Sequence, residues 1–228
     1  MLNRFEIFLK RKIRHGFSSY YQKKDIAKLK NKDFVLISRN CWGSQAYQWL
    51  KAPYNTPFVG LFIFGPCYMK LLRDFDRYMA LDIAFTKKTK YPDAYKNHSY
   101  PIGVLDDIEI HFQHYKSIDE AREKWTRRRD RMLKHKKENY FFSICDRRGV
   151  TDENIKEFHQ MNFKNKISFS FTEIEGLNSE QHIKFIQDFS KKKKIPPNGR
   201  KRFKLSFLYF DLVNYLNTEN VVRTRFKT

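Results

Sequence analysis

The 228-residue sequence has no long hydrophobic run, no paired cysteines and no glycine-rich phosphate loop. Its longest apolar segment, residues 58–64, is far shorter than the roughly 18 consecutive apolar residues that mark a membrane-spanning helix. The three cysteines, Cys41, Cys67 and Cys145, form no CxxC pair. This absence argues against a disulfide framework and against a cysteine zinc site. Because GxGxxG and the P-loop pattern are also missing, the sequence supports no dinucleotide-binding or P-loop site. The short apolar segment excludes an integral membrane protein. We assign no residue as a metal ligand.

Acidic residues are scarce at both ends of the chain. The whole sequence has 46 Lys and Arg against 25 Asp and Glu, a formal charge of +21. Residues 1–30 carry 9 basic and 2 acidic side chains, and residues 183–228 carry 12 and 3. The remaining 25 basic and 20 acidic residues are nearly balanced, as in an ordinary globular domain. The basic excess therefore predicts terminal segments that face an anionic surface.

The first segment has apolar residues at helical spacing with basic residues between them, from Leu2 to Tyr21. Lys10, Arg11 and Lys12 follow the first apolar residues without a small-residue cleavage site, so the segment does not resemble a secretory signal and we expect a cytoplasmic protein. A basic amphipathic helix can bind the inner face of an anionic membrane. Alternatively, Phe5, Leu9 and Phe17 dock on the core of the domain.

Predicted strands and helices alternate along the centre of the chain. Apolar runs predict strands at residues 33–38, 58–64, 105–115, 140–145 and 167–171. Caps at Ser117 and Thr151 begin two predicted helices, and two more are predicted at residues 182–189 and 205–216. This order predicts a layered α/β fold.

The charge and the element pattern together predict the domain organisation. We expect an α/β domain over residues 31–217, which could divide into small lobes at 31–115 and 116–217. A basic amphipathic segment, 1–30, precedes it, and a basic tail, 218–228, follows it. In such folds ligands bind where parallel strands end.

Acidic residues and histidine alternate with apolar residues in the predicted strand 105–115. On an extended strand Asp107, Glu109 and His111 share one face, at about 6 to 7 Å spacing. This geometry could hold a divalent metal or supply a general base to a sugar hydroxyl, and we take the three residues as catalytic candidates. The same pattern also fits the wet face of an edge strand.

The loop after the first predicted strand combines small polar residues, a thiol and an indole ahead of a helix N-terminus. Backbone N–H groups at such a position can bind an anionic ligand. We predict substrate-binding residues here at Asn40, Cys41, Trp42, Gly43 and Ser44.

Cys41 could alternatively act as a nucleophile, which requires a nearby histidine. The sequence does not show whether His111 or His114 fills that role, and a buried structural cysteine is the simpler interpretation.

A carboxylate and two guanidinium groups follow the predicted strand that ends at Cys145. Arg147 can bind a phosphate through two parallel hydrogen bonds, while Asp146 accepts a hydrogen bond from a ribose or sugar hydroxyl. Both residues are therefore substrate-binding candidates. An Asp-Arg turn ahead of the Thr151 cap is the structural alternative.

Several blocks in order resemble a bacterial family, the domain-of-unknown-function family nineteen-nineteen, which is often labelled as exopolysaccharide biosynthesis protein. The blocks are residues 38–43, 53–62, 107–112, 114–117, 123–125, 127–128 and 146–147. The similarity covers residues 33–171 and implies a role in exopolysaccharide or capsule biosynthesis. It supplies no reaction and no cofactor.

The pattern and the resemblance together favour a glycosyltransferase that acts at the membrane surface. Its expected partners are a nucleotide-activated sugar, a lipid-linked saccharide and an anionic membrane. A non-catalytic binding module of a polysaccharide assembly system is the alternative. Nucleic-acid binding is less favoured, because the sequence lacks a helix-turn-helix, RNP-type or zinc signature.

Overall fold

The computed structural model describes residues 4–92, 99–185 and 196–224. Within these ranges the chain forms nine α-helices and two sheets, which confirms the α/β prediction. The helices are α1 (Arg4–Gly16), α2 (Ser18–Lys28), α3 (Cys41–Leu50), α4 (Gly65–Arg73), α5 (Phe75–Ala80), α6 (Ile118–Leu133), α7 (Asp152–Gln160), α8 (Gly199–Ser206) and α9 (Leu212–Thr218). The strands are β1 (Val35–Ser38), β2 (Ala84–Thr86), β3 (Ile102–Leu105), β4 (Ile108–His111), β5 (Tyr140–Cys145), β6 (Asn165–Ser170) and β7 (His182–Lys184).

The larger sheet is parallel and has the strand order β1-β5-β6-β7. Strand β1 comes from the first predicted lobe and the other three come from the second. The register pairs Ser38 with Ser143, so β1 and β5 end side by side. The loops after these two strands are therefore neighbours at one edge of the sheet.

Helices cover both faces of the parallel sheet. Val35 and Ile37 pack in one apolar cluster, with α4, α5, α6 and α7. Leu36, between them, points to the opposite face and packs in a second cluster, with α3, α8 and α9. This alternation within one fully buried strand explains why β1 appears in the sequence as a continuous apolar run.

The alternation of residues 105–115 predicts a single half-exposed strand, but these residues contain the end of β3, a turn and strand β4. Strands β3 and β4 pair antiparallel around a turn at residues 106–107, where Asp106 takes a left-handed conformation with φ of 52°. All four residues of β4 are buried, because β2 and β3 extend the sheet and α4 packs against β4. The polar positions of the pattern, Glu109 and His111, therefore lie inside the protein.

The predicted strand at 58–64 is also wrong, although the segment is buried. Gly60 has φ of +72°, which turns the chain and prevents a continuous strand. The backbone N–H of Phe62 donates to His111 O, at 2.9 Å, and that of Ile63 donates to Arg39 O, at 3.0 Å. The segment thus connects the small sheet to the loop after β1.

Two helix predictions in the last third of the chain need correction. The first, at 182–189, begins with strand β7, and residues 186–189 lie outside the described residues. The second, at 205–216, is interrupted between α8 and α9, where the N–H of Asp211 bonds Val222 O. Among the described residues, none of the helices combines the length and the apolar composition of a membrane-spanning segment.

Candidate functional site

A cavity of about 720 Å³ opens where β1 and β5 end. Its walls come from the loops after these strands, the segment after β4, helix α6 and the start of α8. The lining includes the basic residues Arg39, Lys124, Arg128, Arg147, Arg148 and Arg200, and it includes no carboxylate among the described residues. We call this cavity the basic pocket.

The Arg39 side chain connects the backbone segments that form the base of the basic pocket. It is buried and donates hydrogen bonds to Ile63 O, at 2.9 and 3.1 Å, and to Cys145 O, at 3.0 Å. Additional bonds reach the carbonyl groups of Arg147 and Arg148. Because its donors are used by the backbone, Arg39 fixes the loops after β1 and β5 relative to each other.

Two helix N-termini meet at the basic pocket. Asn40 caps α3, since its side chain accepts a bond from Trp42 N at 2.9 Å, and Asn198 caps α8 in the same way through Lys201 N. Between them, Gly199 has no room for a side chain, because an added Cβ would lie 2.2 Å from Asn40 Oδ1. The two positive ends of these helix dipoles therefore face the same space.

Two guanidinium groups of the pocket, those of Arg128 and Arg148, lie over aromatic rings. Arg148 lies over the Phe62 ring at 3.9 Å, and its φ of 51° is a left-handed conformation that is uncommon for arginine. Arg128 lies over the Tyr54 ring at 4.9 Å and donates to Tyr115 Oη at 2.7 Å.

Charge in the pocket is incompletely compensated. Burial lowers the pKa of Arg147 and of Arg148, and repulsion from Arg147 lowers the pKa of Arg148 further. Lys124 pairs with Glu120 at 2.6 Å, but among the described residues no ion pair forms at Arg128, Arg147, Arg148 or Arg200. Such an arrangement favours an anionic ligand that accepts several hydrogen bonds.

Cys41 and His114 lie side by side on the wall of the pocket. Cys41 is the first residue of α3, and its Sγ is 3.5 Å from Nε2 of His114. The backbone N–H of His114 donates to Gly60 O at 3.0 Å, which fixes the segment after β4 against the turn at Gly60. Burial raises the pKa of the Cys41 thiol, and the nearby Arg148 and Arg200 partly oppose that rise.

The other residues predicted in the loop after β1 have separate tasks. Trp42 is buried in the core and donates through Nε1 to Ser206 Oγ at 3.0 Å. Gly43 allows α3 to lie against β1, since an added Cβ would be 2.9 Å from Ser38 Cβ. Ser44 lines the pocket and accepts a bond from Gly60 N at 3.2 Å. Asn40, Cys41 and Ser44 are therefore the ones that line the pocket.

Asp146 lies beside the pocket but is engaged by the protein. One carboxylate oxygen pairs with the buried Arg202 at 2.8 Å, and the other accepts a bond from Phe171 N at 2.6 Å. Arg147, next along the chain, lines the pocket and also donates to Pro196 O. Of these two candidates, Arg147 is the one placed to meet a ligand.

The three catalytic candidates of the sequence lie in the hairpin and do not line the basic pocket. Asp107 pairs with Lys70 and accepts from Tyr78 Oη at 2.6 Å, and these bonds lower the pKa of its carboxyl to about 2. Glu109 is buried and accepts from Thr89 Oγ1 and Lys90 N, both at 2.8 Å.

His111 is buried and stacks on the Phe62 ring at 4.7 Å. Burial lowers the pKa of His111 to about 4, with a smaller contribution from Arg148. Its Nε2 is 3.5 Å from Glu109 Oε2 without a hydrogen bond. The described residues contain no group of three His, Cys, Asp or Glu side chains that could hold a metal.

The pocket is also lined by residues that were not among the substrate-binding residues predicted from the sequence: His114, Lys124, Arg128, Arg148 and Arg200. Of these, His114 was considered only as a possible partner of Cys41, and Arg148 only as the neighbour of Arg147. These five residues come from four separate segments, and only the tertiary packing of these segments around the ends of β1 and β5 brings them together. The available signal was the position of the Arg147-Arg148 pair after a predicted buried strand, which indicated the correct edge.

Comparisons with known proteins identify a family model and a relative that each match most of the chain. A family model described as "Domain of unknown function (DUF1919)" matches residues 12–217. A Haemophilus influenzae protein named "Uncharacterized protein" is 35% identical over 197 residues, which cover 83% of this chain and 87% of that protein. The resemblance seen in the sequence blocks is thereby confirmed, and this chain belongs to the DUF1919 family.

Proposed function

We propose that the protein is a glycosyltransferase that binds a nucleotide-activated sugar with its diphosphate in the basic pocket. One observation carries this proposal. Four arginines, Arg128, Arg147, Arg148 and Arg200, converge where the parallel strands β1 and β5 end, and among the described residues none of them pairs with a carboxylate. Ligands of open α/β sheets bind at this edge. Helix N-termini and arginine are the protein groups best suited to phosphate oxygens.

The size and the walls of the pocket suit a donor larger than inorganic phosphate. Its volume of about 720 Å³ lies within the range of about 300–1,000 Å³ for small-molecule sites. Tyr54, Phe62 and Tyr115 line it beside the arginines. Aromatic faces of this kind can stack on a nucleobase or a sugar ring. The donor and not the free anion is therefore the better fit.

A base for the acceptor hydroxyl is available within the same pocket. His114 is exposed to the cavity, whereas Asp107, Glu109 and His111 lie outside its lining. General-base catalysis requires a group within hydrogen-bond reach of the reacting hydroxyl. We accordingly assign this task to His114 instead of the hairpin residues.

Helix α1 supports the membrane part of the proposal. Ile7 anchors it in the core, while Phe5, Phe8, Leu9 and Ile13 are exposed, with Phe5 66% accessible. The alternative in which Phe5, Leu9 and Phe17 dock on the core is thus not what the structure has. Basic residues on the same helix would each add about 1 kcal/mol near an anionic lipid surface. A lipid-linked saccharide acceptor and a role in exopolysaccharide or capsule synthesis at the inner membrane face complete the proposal.

Nucleotide binding tests the pocket directly. The full chain is titrated calorimetrically with UDP, GDP, dTDP and CMP and with their sugar conjugates, with and without Mn²⁺. We expect at least one nucleotide to bind. Arg128→Ala should weaken that binding about 10- to 100-fold, because a hydrogen bond to a charged group contributes about 1.5–3 kcal/mol.

Arg127→Ala is the matched control, since Arg127 neighbours Arg128 on α6 but pairs with Glu123 at 2.7 Å and does not line the pocket. Absence of binding by every nucleotide at millimolar concentration would contradict the proposal. If Arg127→Ala weakens nucleotide binding as much as Arg128→Ala does, the nucleotide does not bind in the basic pocket.

Vesicle flotation tests the membrane part. Wild-type protein should float with vesicles that contain phosphatidylglycerol and less with pure phosphatidylcholine vesicles. The double variant Phe8→Ser, Leu9→Ser should lose flotation, while Val222→Ser, at an exposed apolar residue far along the chain, should keep it. Flotation that survives the double variant would refute attachment through α1.

A further inference from the structure

The side chains of Cys41 and His114 meet on the wall of the basic pocket, where a ligand held by the arginines would also lie. Sγ and Nε2 are 3.5 Å apart, which is hydrogen-bond distance for sulfur. The two other cysteines, Cys67 and Cys145, are buried and do not line the pocket. Cys41 is therefore the cysteine that combines access to the cavity with a histidine partner.

The surroundings of Cys41 have the parts of a nucleophilic site. A nucleophile needs a base that takes its proton, and His114 is in reach. A thiolate is stabilised by positive charge, and the N-terminus of α3 together with Arg148 and Arg200 supply it. A leaving group needs compensation of its developing charge, which the arginines of the pocket offer.

We propose that Cys41 is a nucleophile with His114 as its proton acceptor, and that the transferred sugar passes through a covalent bond to Cys41 Sγ. The identity of the donor rests on the proposed function. The reactivity of the pair does not.

The reaction balances in two displacements. His114 Nε2 takes the thiol proton, Sγ bonds to the anomeric carbon, and the bond from that carbon to the diphosphate oxygen breaks with its electron pair leaving on the diphosphate. The proton on His114 then passes to the departing diphosphate or to water. In the second step the acceptor hydroxyl attacks the carbon, His114 takes the hydroxyl proton, and the carbon–sulfur bond breaks. His114 returns this proton to the thiolate, and the sugar keeps the configuration that it had in the donor.

The unreacted thiol requires the histidine because burial raises its pKa. Without His114, the thiolate would form only in alkaline solution. The alkylation rate of Cys41 should therefore persist at neutral pH in the wild type and should shift to higher pH in His114→Gln. This difference in pH profile distinguishes a base from a residue that only fills space.

Alkylation tests the pair without any donor. Native full-length protein is treated with iodoacetamide or iodoacetate, and modification of each cysteine is followed by peptide mass mapping. Cys41 should react ahead of Cys67 and Cys145 and should prefer the anionic iodoacetate more than it does in urea-unfolded protein. His114→Gln should slow Cys41 on the order of 10²-fold at neutral pH. The control His135→Gln, at a histidine that does not line the pocket, should not.

Intact mass measurement tests the covalent intermediate. Wild-type protein is incubated with the nucleotide sugars used for calorimetry, and a sugar-sized increment should appear on Cys41 and be missing in Cys41→Ser. Equal alkylation rates in wild type and His114→Gln, together with no adduct while nucleotides bind, would overturn the nucleophile and leave the proposed function intact. Rapid alkylation that depends on His114 without nucleotide binding would support the nucleophile and reject the nucleotide-sugar donor.

Discussion

The basic pocket and the β3–β4 hairpin differ in how their charged side chains are paired. In the hairpin, Asp106 and Asp107 pair with Arg77 and Lys70, and the buried Glu109 accepts two hydrogen bonds. At the pocket, cationic side chains gather without carboxylates in the lining. The carboxylates of the hairpin thus have partners within the protein, while the cations of the pocket have no carboxylate beside them in the described lining. A ligand site is better recognised by unmet charge than by a cluster of reactive residue types.

Asp146, which precedes the lining residue Arg147, provides the largest test of this difference. Asp146 is the partner of Arg202, which is 1% exposed. Asp146→Ala would leave a buried guanidinium without a counter-charge, and we expect the free energy of unfolding to fall by about 3–5 kcal/mol. Urea denaturation measures this loss. A decrease below about 1 kcal/mol would mean that Asp146 is free for a ligand and that the pocket does contain a usable carboxylate.

The contact between α3 and α8 provides the next test, since it aligns the two helix N-termini. In Gly199→Ala the new Cβ would collide with Asn40 Oδ1 and with Trp42 N, at 2.2 and 2.5 Å. We expect a loss of about 1–3 kcal/mol in stability, typical of overpacking, and weaker nucleotide binding. Gly16→Ala is the matched control, because an added Cβ there has no neighbour within 4 Å. If Gly199→Ala binds nucleotide with unchanged affinity, the two helix N-termini do not contribute to nucleotide binding.

His111 tests whether the hairpin holds a neutral, structural histidine. Its folded pKa of about 4 is below the value of about 6.5 expected in the unfolded chain. The unfolded state therefore binds more protons between these values, and His111 makes stability fall as pH drops from 7 to 4. His111→Phe should reduce the difference in unfolding free energy between pH 7 and pH 5 by about 1–2 kcal/mol. An unchanged difference would mean that His111 takes up its proton with the same pKa in the folded and the unfolded protein.

Sequence reasoning located the edge of the sheet where the pocket lies, but the three catalytic candidates that it named lie outside the lining of the pocket. Strands β1, β5 and β6 are visible as buried apolar runs, so the loops after β1 and β5 could be predicted as neighbours with Cys41 and Arg147 in them. The hairpin was misjudged because a turn at residues 106–107 preserves the alternation of a single strand.

The remaining pocket residues could not be predicted for a physical reason. Arg128 and Arg127 are adjacent on α6, and only the rotation of that helix on the sheet decides which one faces the pocket. His114 reaches Cys41 through the contact of its backbone with Gly60. Both placements depend on packing between distant segments, which a local pattern does not encode.

Asp107 gives the smallest expected effect and the sharpest comparison with the pocket. Its carboxyl pKa of about 2, set first by Lys70 and then by Tyr78, lies below the unfolded value of about 3.9. The ion pair therefore stabilises the fold above pH 4 and loses its contribution as pH falls toward 2. Because the Asp107 side chain is 42% exposed, solvent screening limits this contribution to below about 1 kcal/mol. Asp107→Asn keeps an acceptor for Tyr78, so urea denaturation at pH 7 should show a small loss of stability that added salt diminishes.

The nucleotide affinity of Asp107→Asn and its adduct formation at Cys41 should equal those of the wild type. If the variant instead binds nucleotide normally but forms no adduct, the reacting carboxylate lies in the hairpin, and charge already paired in the free protein is part of the chemistry after all.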